Sequence, residues 1–302
     1  MRCLIAVLLA GLVLPASGQI RVVSTERLPL PVDRVWSAPQ FSPDGTTIFV
    51  TTAGYRGIWR YTPSTRSLEQ ICDDAGAGYG FSVSPDGNRV AYRRTLEGTS
   101  MNRRVQEVVE VELLSGEQVV MASGRDLPTP VYAGDRVLFD PSAARKNMAP
   151  AMGTGKAVLG IEDTKIMAVV DGMPLRLDPY RNGSYIWPSL SPDGTRMVAY
   201  EMSRGMFVAD LAGNILAEFG RCDAPSWTRS GRWIVCMREK NDGQQITGSD
   251  IYCVAPDGGS PIRLTDSPAI ELMPVCSPVD DRILACTPSG EILVLTYREE
   301  GR

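Results

Sequence analysis

Apolar residues in this chain come in short alternating runs, and each run ends at Gly, Pro, Asp or Asn. Arg196-Met197-Val198-Ala199-Tyr200, Gly57-Ile58-Trp59-Arg60-Tyr61 and Asp250-Ile251-Tyr252-Cys253-Val254 are typical. Runs of this length with β-branched and aromatic residues predict strands. No window of about 12 residues or more keeps a 3.6-residue period free of Gly and Pro, so helices are not expected.

The runs recur in register. Segments beginning at Pro39, Gly80, Pro188, Pro225 and Pro274 each place a short apolar strand before Ser-Pro-Asp-Gly or a variant of it, and a second strand after it. A weaker copy begins at Pro130. The spacing averages about 47 residues, within the range of propeller blades. Pro fixes φ, Asp bonds the backbone ahead of it and Gly tolerates positive φ, so the four residues make a tight turn. A third and a fourth strand follow, as at Asn214-Ile215-Leu216-Ala217-Glu218. The expected fold is therefore all-β: a six-bladed β-propeller of four-stranded antiparallel blades. The last unit ends after three strands, and the stretch Ile20-Arg21-Val22-Val23-Ser24 has no place in the first. That N-terminal strand is expected to supply the missing outer strand and close the ring.

Ser42–Gly45, Ser84–Gly87 and Ser191–Gly194, each followed by an apolar strand, resemble the PD40 (WD40-like) repeats of TolB-type propellers. The resemblance covers residues 36–297 and implies a closed propeller that binds other molecules. TolB proteins carry an α/β domain ahead of the propeller. Only residues 19–35 separate the leader from the first unit here, so contacts of that domain are not carried over. Related propellers precede the hydrolase domain of prolyl-oligopeptidase-type enzymes, but this sequence has no G-x-S-x-G.

Composition sharpens the functional reading. The 302 residues include no His, which excludes Ser-His-Asp and Cys-His nucleophiles and histidine-bound zinc or haem. The net charge of −4 argues against a nucleic-acid binder. Arg2, the 12-residue apolar run Cys3–Leu14, Pro15 and the small residues Ala16-Ser17-Gly18 read as a signal peptide over residues 1–18. The run is too short to span about 30 Å of hydrocarbon, so no membrane span is expected. Residues 19–302 then form one exported domain, periplasmic, envelope-associated or secreted, and monomeric. Export permits disulfides among Cys72, Cys222, Cys236, Cys253, Cys276 and Cys286. Their pairing is open, and Cys236 and Cys276 occupy apolar repeat positions, as buried hydrophobes do.

The Ser-Pro-Asp-Gly turns mark one face of the ring. Joins between second and third strands mark the other, and they vary in length: Thr52–Arg56, Arg94–Arg104, Asp140–Thr164 and Glu239–Ser249 in blades one, two, three and five. Extra length on one face is where binding usually resides. Arg94, Arg103 and Arg104, with Arg145 and Lys146, offer a basic patch for a carboxylate, phosphate or acidic partner, or are solvated loop charges. Glu162, Asp163 and Lys165 point at the channel or form a turn with its own ion pair. Asp242 lies in the blade-five join without the spacing of a calcium loop, and neither a metal nor a cofactor is expected. Gly153-Thr-Gly-Lys156 lacks the first Gly and the Ser/Thr of a phosphate loop. The function expected is non-enzymatic binding of an envelope protein or peptide through this face. The alternative is an enzyme or a carbohydrate or peptide binder at the channel mouth.

Overall fold

The computed structural model describes residues 19–96, 104–139, 156–170 and 173–300. Residues 1–18, expected from the sequence to be a signal peptide, lie outside them, as do Arg103, Arg145 and Lys146. Among the described residues there is no helix, and so none long and apolar enough to cross a membrane.

The tight turns form as their chemistry dictates. The amide of Gly45 donates to the carbonyl of Ser42 at 2.9 Å, and that of Gly87 to Ser84 at 2.8 Å. Gly45, Gly87, Gly194 and Gly231 all take positive φ near 70°, a region closed to most side chains. The Ser hydroxyl before each Pro is buried and donates to the Asp two residues on, at 2.5 Å from Ser42 to Asp44 and 2.6 Å from Ser191 to Asp193. The same hydroxyl accepts the amide that opens the next strand: Thr47 at 3.0 Å, Arg89 at 2.9 Å, Arg196 at 3.0 Å. A buried hydroxyl would be costly unpaired, and here donor and acceptor capacity are both used.

The strands assemble into six antiparallel blades. The N-terminal strand is β1 (Gln19–Arg27). Blade one holds β2 (Trp36–Phe41), β3 (Ile48–Thr52), β4 (Ile58–Thr62) and β5 (Ser67–Cys72). Blade two holds β6 (Ser82–Val83), β7 (Arg89–Thr95), β8 (Gln106–Glu112) and β9 (Gln118–Gly124). Blade three is divided into the hairpin β10 (Val131–Ala133) and β11 (Arg136–Leu138) and a sheet of β12 (Lys156–Glu162), β13 (Lys165–Val170) and β14 (Met173–Leu177). Blade four holds β15 (Tyr185–Leu190), β16 (Arg196–Glu201), β17 (Gly205–Asp210) and β18 (Ile215–Gly220). Blade five holds β19 (Asp223–Trp227), β20 (Ile234–Asn241), β21 (Ile246–Val254) and β22 (Ile262–Arg263). Blade six holds β23 (Leu272–Cys276), β24 (Arg282–Cys286) and β25 (Ile292–Glu300). Its sheet order, β1-β25-β24-β23, closes the ring with the N-terminal strand outermost, paired from Gln19↔Glu300 to Arg27↔Leu293.

Blade three departs from the sequence reading. The stretch Asp140–Thr164 is not one long join, because β12 occupies its second half and meets β13 through the two-residue turn Asp163-Thr164. β12 packs on β15, as β16 packs on β19 and β20 on β23, so it holds the second-strand place. The strand expected at Arg136–Phe139 pairs with β10 alone.

The core lies between blades. Phe49 and Ile58 of blade one meet Phe81, Tyr92 and Val109 of blade two. Trp36, Ile48 and Trp59 meet Leu284 and Ile292 across the closure, while Ile20 joins the layer between blades five and six. Each such side chain, fully buried, contributes about 1.5–3 kcal/mol. All six described cysteines are buried and free.

The turn carboxylates carry a pH signature. Hydrogen bonds from Ser191 and from the amide and hydroxyl of Thr195 hold the Asp193 carboxyl down at about 2, and equivalent bonds lower Asp44 and Asp86. A lowered folded-state pKa gives stability that is present above about 4 and lost as pH falls through the folded value. Thermal unfolding followed by circular dichroism should therefore show melting temperature falling from pH 4 toward 2. The Asp193→Asn variant should lose part of that dependence and melt lower at neutral pH.

Candidate functional site

Inner strands share a backbone device at the end away from the tight turns. Ala38, Trp187, Ala224 and Met273 have φ of 43°, 51°, 49° and 53°, each immediately before a proline. Each sits at a bulge in the pairing of the first and second strands. Gly80 holds the equivalent place in blade two at φ 70°, where an added Cβ would lie 2.8 Å from Thr129. A non-glycine residue at positive φ stores about 1–3 kcal/mol, and such strain collects at functional sites. Ala38, Trp187, Ala224 and Met273 line an opening of about 200 Å³ at the channel, together with Pro39, Pro225 and Pro274.

The two faces use their charges differently. On the turn face arginines stitch neighbouring blades: Arg196 to Asp257 at 2.7 Å, Arg229 to Asp281 at 2.9 Å, Arg282 to the Gly45 carbonyl at 2.7 Å, and Arg232 to Glu299. The opposite face carries two cavities at equivalent places between blades. One, of about 390 Å³ between blades one and two, is internally neutralised. There Arg56 meets Asp73 at 3.1 Å, and Arg94 meets Glu107 at 2.8 Å and Asp74 at 3.4 Å. Asp74 also accepts the Tyr92 hydroxyl at 2.6 Å.

The other cavity, about 400 Å³ between blades four and five, holds opposite charges that form no ion pair among the described residues. Arg221, Asp223, Arg238 and Glu239 line it with Trp187 and Tyr200. Arg221 and Arg238 are exposed and form no ion pair among the described residues. Arg238 stands over the Tyr252 ring at 5.4 Å. Burial pushes the Asp223 carboxyl above its ordinary range, against the pull of the Tyr200 hydroxyl, Arg221 and Arg238. Burial and Asp223 raise Glu239 likewise. The result is two unpaired arginines, aromatic walls and two carboxyls held above their ordinary range.

Residues singled out from sequence scatter around this face. Arg94 closes β7 inside the neutralised cavity. Arg104 is exposed just before β8, near Arg93, which donates to the Leu127 carbonyl. Glu162 ends β12, and Asp163 and Thr164 make the turn at φ 46° and 65°. Lys165 does not pair with these acids. Its ammonium lies 3.0 Å from Asp178 and donates to the Gly183 carbonyl at 2.6 Å, tying blade three to blade four. Asp242 caps its own turn, accepting the Gln244 and Gln245 amides at 2.9 Å each. No cluster of three metal-ligating side chains occurs among the described residues. Sequence reasoning passed over Arg221, Asp223, Arg238 and Glu239. One signal was available: Arg238 follows Thr228 by the same interval as Arg94 follows Ser84.

No protein-family profile matches the chain. A stretch of 97 residues is 32% identical to a protein TolB homolog of Chlorobium luteolum, covering 30% of this chain and 21% of that protein. The likeness thus spans about a fifth of that curated relative's length. TolB from Acinetobacter baumannii superposes with a TM-score of 0.50 at 16% identity, over 89% of this chain and 56% of that one. The chain has the fold of a TolB-type β-propeller. The same architecture recurs in an oligogalacturonate lyase of Vibrio parahaemolyticus, at TM-score 0.52 and 15% identity over 85% of this chain and 76% of that one. It recurs in the Swd1 propeller domain of Myceliophteria thermophila, at TM-score 0.62 and 11% identity over 91% and 99%. At these identities the solved structures share a fold with the TolB-like propeller, and function must be argued from its site.

The bulges make a sharp prediction. Ala38→Gly in this propeller should be neutral or stabilising by up to about 1 kcal/mol in urea unfolding, because glycine relieves the positive φ. Ala91→Gly, within the regular strand β7, should instead destabilise by about 1 kcal/mol or more.

Proposed function

We propose that this TolB-like propeller is an exported, non-enzymatic binding protein of the cell envelope, holding a protein or peptide partner on the face away from its tight turns. The observation that carries the reading is the contrast between faces. Arg196 and Arg229 on the turn face are consumed in blade-to-blade contacts, while Arg221 and Arg238 on the other face are left without an ion pair beside aromatic walls. Unpaired guanidinium groups next to exposed aromatic surface are characteristic of binding sites. The variable joins Arg94–Arg104 and Asp140–Thr164 are expected on this face from the sequence, and the leader-like start of the chain supports an envelope location.

The test is affinity capture of tagged protein from its native envelope after cross-linking. A partner retained by the intact propeller should be lost when residues 97–103 and 140–155 are both shortened. Retention unchanged by both deletions would overturn the assignment of this face.

A second reading rests on a separate observation, the pair of carboxylates with raised pKa, Asp223 and Glu239, around one cavity with Tyr200. Carboxylates poised nearer neutrality suit general acid–base work. Oligogalacturonate is a reasonable first substrate because a lyase with that specificity shares the architecture. Turnover abolished by Asp223→Asn would favour an enzyme. Absence of turnover in the protein that captures its partner would favour the binding function.

A further inference from the structure

The cavity between blades four and five has a more specific chemistry than a general binding face. Its two cations come from different elements: Arg221 from the linker between blades and Arg238 from within β20. Both act on the same half-buried group, since each pulls on the Asp223 carboxyl without forming an ion pair with it. The residue facing Arg238 across the strand pair is Asp250, but Asp250 gives its carboxylate to Arg263 at 2.7 Å. Arg238 is thus denied its natural neighbour and held over Tyr252. A stacked guanidinium loses little freedom when an anion arrives.

The remaining wall limits which anion fits. Asp223 and Glu239 oppose a dianion, so a phosphate monoester would meet repulsion at two points. A single carboxylate suits two arginines next to two acids. Glu239 then offers an acceptor for an amide N–H, and Trp187 and Met202, the latter 59% exposed, offer apolar surface. A monoanion, an adjacent N–H donor and an apolar side chain describe the end of a polypeptide. We infer that this cavity receives the free C-terminal carboxylate of a peptide or protein, with Arg221 and Arg238 as its hosts. The inference rests on the partner-binding reading of this face and names the group recognised there.

The probe is the tripeptide N-acetyl-Ala-Ala-Phe, as the free acid and as the C-terminal amide, titrated against the full mature chain by saturation-transfer NMR. The acid should bind at least about tenfold more tightly than the amide, the value of one charge-assisted contact. Arg238→Met and Arg221→Met should each erase most of that preference. Both residues are exposed, so unchanged circular dichroism melting would exclude unfolding as the cause. Arg66→Met, in the exposed turn between β4 and β5, should keep the preference. Equal binding of acid and amide, no binding of either, or a preference that survives both arginine variants would overturn the inference. So would displacement of the probe by inorganic phosphate as effectively as by acetate, which would make the cavity a general anion site. The two proposals fail separately. Partner capture without probe binding removes this inference and leaves the partner; probe binding without any captured partner removes the partner reading alone.

Discussion

A blade of this protein cannot stand by itself, because its central strands are apolar on both faces. In β3, Ile48 and Val50 point toward blade six while Phe49 points toward blade two, and all three are fully buried. Such a strand reaches a low free energy only between two neighbours, so one blade demands the next until the series meets its own beginning. Closure is therefore a thermodynamic requirement. β1 meets it by pairing along the whole of β25 and by placing Ile20 in the layer between blades five and six. Among the described residues, the joint between blades two and three is bridged by polar contacts. There Tyr132 donates to Glu110 at 2.7 Å and its amide to Ser82 at 3.2 Å.

Closing the ring gives its two faces different duties. Tight turns with buried hydroxyls leave the turn face short and rigid, and its arginines reach across to adjacent blades. On the other face the inner strands of blades one, four, five and six each carry a residue held at positive φ before a proline. Trp187, at one of these bulges, lines both the channel opening and the cavity between blades four and five. Strained backbone and cations without an ion pair thus lie on the same side.

Two cavities at equivalent positions illustrate how little the repeat itself says about function. Arg94 and Arg238 occupy matching places in second strands, each ten residues after the first residue of its tight turn. Arg94 finds Glu107 on the neighbouring strand and Asp74 on the linker, whereas Arg238 faces an Asp250 already taken by Arg263. The difference depends on partners far away in sequence, which is why a basic patch inferred from loop charges alone gave Arg94 equal standing with the rest. Lys165 repeats the lesson: its local acids, Glu162 and Asp163, are passed over for Asp178 on the approach to the next blade.

Most of the fold was legible in the residues. Ser-Pro-Asp-Gly specifies its turn by local chemistry, strand runs specify pleat by alternation, and their recurrence specifies a ring; even the closing role of the N-terminal strand followed from one missing partner. Blade three was less legible, because no Ser-Pro-Asp-Gly turn precedes β12, which is recognised by what it packs against, β15, rather than by its own pattern. The site was hardly legible at all. Which arginine is neutralised, which carboxyl is buried and which backbone is strained are set by side chains brought together from separate blades, and pair energies at a few ångströms have no signature in a linear sequence. The chain by itself determined the architecture because turns and pleats are local; tertiary structure alone decided the chemistry because charge compensation is not.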